Sequence, residues 1–258
     1  MKSVTVRNVT IGQGKPKICV PLVATTAEGI VAEAKSLLDM PVDIVEWRAD
    51  WYEDALDKEK VLKAAEELRK VLGDKPLLFT LRTEKEGGEK ALLVEDYIEI
   101  NLAVAASGFV DLVDIELFTA GDEGARMIEE AHKARVKVIM SSHDFFKTPG
   151  RESMEGRLLK MQQMGADIPK LAVMPQSKRD VLTLLDVTLE MSQTLECPIV
   201  TMSMSSTGMV SRLTGETFGS ALTFGAVGQR SAPGQPGAKE LAEVLEMIHR
   251  NLDPEDVR

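Results

Sequence analysis

The chain has 258 residues, with 41 acidic against 31 basic side chains and a formal net charge of -10. This balance argues against a nucleic-acid partner, which needs a basic stripe to displace counterions from phosphates; a small anionic substrate needs only local arginines set against the overall field. No apolar run reaches the roughly 18 to 20 residues of a membrane helix, and the opening MKSVTVRNVT lacks the apolar core of a signal peptide, so a soluble cytoplasmic domain without membrane contact is expected.

At the start of the chain Val4, Val6 and Val9 alternate with polar residues, and a turn at Gly12 to Gly14 follows. That is a hairpin pattern expected to close one end of the core. From there strands and helices alternate with a period of about 30 residues, the size of a β-α unit. Strands are predicted at 17–21, 43–48, 77–82, 112–116, 137–141, 169–173, 198–202 and 220–224. Helical patterns lie between them, among them 27–39 behind the Thr25-Thr26 cap, 58–72, 157–164, 178–194 and 239–251. Near-continuous apolar strands alternating with amphipathic helices mean a parallel sheet covered by helices. The strand count suits a (β/α)8 TIM barrel, and the Gly-rich turn that opens many doubly wound sheets is missing. The length fits a single domain over 1–258, ending in a polar tail, 253–258, that is expected to fray after Pro254.

Cys19 and Cys197 lie in or beside predicted strands without CxxC or Cys/His ligand spacing, and read as small buried hydrophobes. His132, His143 and His249 are too scattered for a metal site. No metal or cofactor motif is present, and none is expected.

A barrel active site is built where strands end, so polar residues at those points carry information. Glu46 and Arg48 close the second predicted strand, and Arg82 the third, with Glu86 shortly after. Glu116 closes the fourth, His143 follows the fifth, and Lys170 lies on the sixth. Between Ile168 and Val173 an ammonium group is expensive to bury; desolvation and nearby arginines favour the neutral amine, which is the form that attacks a carbonyl. The plainer readings of Lys170 are a lysine snorkelling to solvent or paired with a carboxylate.

His143 is a candidate general base that Glu86 could orient, or else a loop histidine bonded to backbone. Arg48, Arg82 and Arg212 are each structural ion-pair residues or, taken together, a clamp for a carboxylate or phosphate. Met202 and Phe224 belong to the core or to an apolar wall that keeps water from an imine. The stretch GAVGQRSAPGQPG from Gly225 has no face to bury and suits an active-site lid, with Ser231 and Gln235 as donors to a hydroxylated substrate.

Several stretches together resemble the type I 3-dehydroquinate dehydratases. They are EWRAD at Glu46, PLLFTLRTEKEGGE from Pro76, DIELF at Asp114, SSHDFFKTP at Ser141, KMQQMGADIPKLAVMPQ from Lys160, TMSMSSTGMVSRLTGETFGSALTFGA from Thr201 and SAPGQ at Ser231. They run in order through nearly the whole chain. The resemblance implies a homodimeric barrel enzyme of the shikimate pathway that needs no cofactor and dehydrates 3-dehydroquinate to 3-dehydroshikimate by syn elimination. It implies that Lys170 forms the imine, that His143 moves the proton with Glu86 in support, and that Arg212 clamps the substrate carboxylate. Glu46, Arg48, Arg82, Ser231 and Gln235 would bind hydroxyls or hold the network. Pro21 stands where some relatives carry a serine, so the polar contact made there is not expected; Phe146 and Ser206 replace polar residues or lysine of familiar relatives and are expected to tune the rim and leave the chemistry alone.

Two other readings share part of this pattern. A class I aldolase would use the same lysine imine and place a phosphate in the last two loops, where GSALTFGA at Gly219 is a candidate. A non-catalytic barrel binding a small anion is the other, because fold alone does not decide function.

Overall fold

The computed structural model of the chain describes residues 2–252, and the expected polar tail lies outside them. A short antiparallel hairpin of β1 (Val4–Val6) and β2 (Val9–Ile11) comes first. Its turn falls at Arg7, which takes φ of 52°. The Gly12 to Gly14 stretch instead leads out of β2 towards the barrel, because the register Val6 to Val9 leaves only two residues for the turn.

Then follow β3 (Lys17–Leu22), α1 (Ala27–Ser36), β4 (Ile44–Arg48), α2 (Lys58–Leu72), β5 (Leu77–Thr80), α3 (Val94–Ala106), β6 (Leu112–Glu116) and the short α4 (Leu117–Ala120). The second half holds α5 (Gly124–Lys133), β7 (Lys137–Asp144), α6 (Arg151–Gln163), β8 (Ile168–Val173), α7 (Lys178–Thr194) and β9 (Val200–Ser203). It ends with α8 (Met209–Leu213), α9 (Gly215–Phe218), β10 (Leu222–Phe224) and α10 (Ala238–Asn251). The eight strands β3 to β10 form one parallel sheet in the order β10-β3-β4-β5-β6-β7-β8-β9. Only an isolated bridge, Ile199 to Ser220, spans β9 and β10, so the barrel is closed except at this seam.

Two apolar clusters follow from the period-2 pleat, which sends neighbouring side chains to opposite faces. Outward residues such as Val45, Trp47, Phe79, Val113, Met140 and Leu171 pack under the helices. Inward residues such as Cys19, Ile44, Leu112, Ile139 and Ile168 fill the barrel, and Val6 and Ile11 of the hairpin join them from below. The hairpin therefore closes one end, as its alternation implies.

Four local differences have physical reasons. β7 continues to Asp144 because His143 and Asp144 pair with Ala172 and Val173 of β8, so His143 stands on the strand and not past it. β5 stops at Thr80, since Arg82 and Thr83 leave the ladder to bond carboxylates. α6 begins at Arg151, earlier than its pattern suggests, because Met154 alone of its first turns is buried. α1 ends at Ser36 when Leu37 turns its N–H back to Ala34.

Candidate active site

The inward positions change character along the strands. Ile44, Leu78, Leu112, Ile139, Ile168, Val200 and Leu222 make an apolar floor. Two residues further on, Glu46, Thr80, Asp114, Ser141, Lys170, Met202 and Phe224 are all buried. Two more residues bring Arg48, Arg82, Glu116, His143 and Ala172 to the C-terminal rim. One sequence register thus places a polar well above an apolar plug.

The space between these side chains, open solvent at the mouth included, is about 450 Å³, and every site candidate named from the sequence except Glu116 lines it. Lys170, His143 and Glu86 are there, with Glu46, Arg48, Arg82, Arg212, Met202, Phe224, Ser231 and Gln235. Ala172, Met204, Phe145, Gly87 and Ala232 complete the wall.

Lys170 is 3% exposed. Its Nζ donates to Asp114 Oδ2 at 3.1 Å and lies 4.7 Å from the centre of the Phe224 ring. Pairing with a carboxylate, the plainer reading of this lysine, is therefore part of the site. Asp114 also accepts from Arg82 Nη2 at 2.8 Å and from the Ser141 hydroxyl at 2.6 Å. Burial alone would raise its pKa; the cations of Arg82 and Lys170 outweigh that and hold the carboxyl well below the usual range.

His143 gives its Nδ1 to Glu86 Oε2 at 2.8 Å, and its backbone N–H donates to the same oxygen at 2.9 Å. Among the described residues Nε2 has no protein partner and stays available for a proton. Phe145 lies against the ring, with centroids 6.5 Å apart. Burial, then the charges of Arg82 and Lys170, push the imidazole well below its ordinary pKa. Burial and the neighbouring charge of Glu116 push Glu86 up to about 8. Because the two groups touch at 2.8 Å, the protonation of one bears on the basicity of the other.

The arginines do not act as one clamp. Arg82 is bonded to Asp114 and Glu116, with Glu86 at 3.8 Å, and Arg48 is bound bidentately by Asp50 at 2.7 and 2.8 Å. For Arg48, burial works against the cation, but the hydrogen bonds and charge of Asp50 raise its pKa overall. Arg212 differs. It is 1% exposed, touches Met202 Sδ at 3.4 Å and the Pro233 carbonyl at 3.3 Å, and its Nε has no partner. Among the described residues no carboxylate lies in ion-pair range, and burial pushes its pKa down to about 10.

The segment from Gly225 to Gly237 folds over the mouth. Its ends are joined by Ala226 N–H to the Pro236 carbonyl at 2.9 Å and Ala238 N–H to the Ala226 carbonyl at 3.0 Å. Ser231 and Gln235, expected as donors to a ligand, bond each other instead: Gln235 Nε2 donates to Ser231 Oγ at 3.0 Å and its Oε1 accepts from the Ser231 N–H at 2.9 Å. This exchange gives the lid a fixed shape before anything is bound. Of the stretch GSALTFGA, Gly219 and Ser220 lie ahead of β10, at the end away from the mouth, and the chain reaches the mouth at Phe224.

Sequence reasoning passed over Asp114, Asp50 and Phe145 as functional residues. Asp114 stands in the quoted DIELF and Asp50 in EWRAD; a carboxylate at a strand end within those motifs was the available signal. Pro21, opposite Glu46 in the sheet register, offers no donor there, and Glu46 takes the Thr80 hydroxyl at 2.8 Å.

A mouth with these groups suits a substrate that is at once a carbonyl compound and an anion, and the protein is a barrel enzyme of the lysine-nucleophile class. Residues 18–252 match the family model described as type I 3-dehydroquinase, and the chain belongs to that family. It is 52% identical over 252 residues to the 3-dehydroquinate dehydratase of Listeria welshimeri, covering 98% of this chain and all of the relative. The Clostridium difficile type I 3-dehydroquinate dehydratase, solved with covalently modified comenic acid, superposes with a TM-score of 0.94 at 48% identity, covering 98% of this chain and 100% of that one. The Geobacillus kaustophilus 3-dehydroquinate dehydratase gives 0.95 at 38% identity, with 98% of each chain covered.

Proposed function

We propose residue roles for the family's reaction, the dehydration of 3-dehydroquinate to 3-dehydroshikimate through a lysine Schiff base. Lys170 passes its ammonium proton to His143 Nε2 and attacks the C3 ketone as the neutral amine; the carbinolamine hydroxyl takes that proton back and leaves as water, giving a protonated imine. The iminium draws electrons from the neighbouring C2–H bond, and His143 removes that proton through Nε2. Electrons from the resulting enamine then expel the C1 hydroxyl, which leaves as water with the proton returned by His143. Hydrolysis of the conjugated imine frees the product and the lysine.

The observation that carries this reading is Arg212, a buried guanidinium without a carboxylate partner among the described residues, in the same cavity as Lys170. An unpaired buried cation is costly. A bound carboxylate supplies what it lacks, and fixes the ring so that its ketone meets Lys170. Asp114, held ionised by its cations, stabilises the iminium once Lys170 has become part of it. Glu86 orients His143, while Phe224, Met202 and the lid keep water from the imine. Glu46, Arg48, Ser231 and Gln235 meet the ring hydroxyls after the Ser231–Gln235 bonds rearrange, and Arg82 holds the carboxylates in place.

The same reading takes the chain as one catalytic domain, cytoplasmic and homodimeric, without a cofactor; light scattering at assay concentration checks the assembly. Turnover is followed by the ultraviolet absorbance of the conjugated product. Lys170→Ala is expected to abolish it while a non-reacting substrate analogue still binds, and turnover near that of the parent protein would contradict the assignment.

A further inference from the structure

The loop that carries Glu86 is held by buried carboxylates from the strands on either side. From β6, Glu116 accepts the Thr83 N–H at 2.9 Å and the Thr83 hydroxyl at 2.7 Å. From the turn after β4 (Ala49–Trp51) the carboxylate is Asp50, which is fully buried. Its Oδ2 accepts the Glu89 N–H at 3.1 Å, and its Oδ1 lies 3.4 Å from the Arg82 N–H. Those two oxygens also take the Arg48 guanidinium, and Arg48 Nη1 reaches the Ser231 carbonyl of the lid at 3.4 Å.

We propose that Asp50 is a positioning residue for the reaction: it fixes the Glu86 loop, and through Glu86 the His143 ring, and ties that placement to the closed lid. The inference rests on the roles given above to Lys170, His143 and Glu86. Glu86 stands between the two backbone points that Asp50 holds, in a turn (Glu84–Glu86) followed by Gly87 at φ of +81°. The loop is also closed by the Glu84 N–H to the Lys90 carbonyl at 2.9 Å and the Gly88 N–H to the Thr83 carbonyl at 2.8 Å, so release of Glu89 from Asp50 shifts Glu86 within a loop that stays closed and loosens its 2.8 Å contact with His143. A neutral acceptor could satisfy one N–H, but the convergence of a guanidinium and two backbone donors calls for a carboxylate. A buried ion pair is a weak source of stability compared with apolar packing, so orientation is the role these contacts fit.

Glu89→Pro is the cleanest test. The side chain is exposed; the change removes the N–H that Asp50 receives, fixes φ at this position and holds Gly88 in extended backbone, and it alters no side chain that lines the cavity. It is expected to lower kcat by roughly ten- to a hundredfold, the loss that misplacing a catalytic group by about an ångström brings. KM should stay within about twofold, because Arg48 remains anchored. Asp50→Asn should lower kcat and raise KM as well.

Both variants should shift the pH profile of kcat, and Glu89→Pro added to Glu86→Gln should cost little further. A lower melting temperature with the parent kcat and pH profile would show a merely structural residue and overturn the proposal; if Asp50→Asn fails to fold, Glu89→Pro decides. Absence of turnover or of a Lys170 adduct in the unmodified enzyme would sink the underlying assignment, and this proposal with it. Turnover retained there and in Glu89→Pro alike would sink the Asp50 inference alone.

Discussion

In the role proposed for it, Arg212 weakens the fold and serves the site. A hydrogen bond to a charged group is worth about 1.5–3 kcal/mol, so Arg212→Gln is expected to raise KM by about ten- to a hundredfold, with kcat much less affected. The same change removes an unpaired buried cation, and should leave the melting temperature of the free enzyme equal or higher. Steady-state kinetics and thermal melts on one preparation check both. The Glu86–His143 pair gives a prediction in pH. With Glu86 pushed up to about 8, the pair keeps its proton at neutrality; losing it leaves Nδ1–H bonded to a carboxylate and Nε2 free to accept. The rate should therefore climb as pH rises to about 8 and then level, and Glu86→Gln should abolish that limb. Stability runs the other way: a carboxyl whose folded pKa is raised stabilises fully below its ordinary value of 4.5 and loses that contribution as pH rises from there to about 8. The gain in melting temperature from Glu86→Gln should accordingly grow across that window.

At the level of elements, the strands were legible because residues on both faces are apolar, as a sheet buried between helices and barrel core requires. Helices α2 and α7 were legible to the residue, since Asp57 and Ser177 cap them and their apolar faces are continuous. The start of α6 was not, because RESMEG reads as polar and its early turns bury only Met154. The lid was legible as a segment, but its internal hydrogen bonds were not: Gln235 folds back on Ser231 because the loop brings them together, which composition does not encode. Lid placement is testable at Gly234, which has φ of +76° and where a Cβ would meet the Ser205 carbonyl. Gly234→Ala is expected to raise KM and lower kcat by displacing the lid, with little change in melting temperature because the barrel core is untouched. An increase in proteolytic cutting between Gly225 and Gly237, suppressed in the parent by a bound analogue, checks the cause.

The whole molecule explains which parts of the site the sequence could reveal. Residues at strand C-termini were recoverable, since a parallel barrel sends all of them to one mouth. Asp114 was not, because its contact with Lys170 joins β6 to β8 across the intervening β7, and only curvature of the closed sheet brings alternate strands within reach. The arginines were recoverable as a group but not in their separate roles; two carboxylates bonded to Arg82, with a third at 3.8 Å, and one bonded to Arg48 leave Arg212 as the member without a carboxylate partner among the described residues. In a chain of net charge -10, the polar well pairs most of its cations with its own carboxylates, and the proposed reading gives the remaining one to the substrate. The direct test is intact mass and peptide mapping after incubation with 3-dehydroquinate and sodium borohydride, on the parent enzyme and on His143→Ala. A reduced adduct on Lys170 in both, with product released only by the parent at its full rate, is the expected result; an adduct on another residue, or none in the parent, would contradict the assignment of Lys170 as the nucleophile.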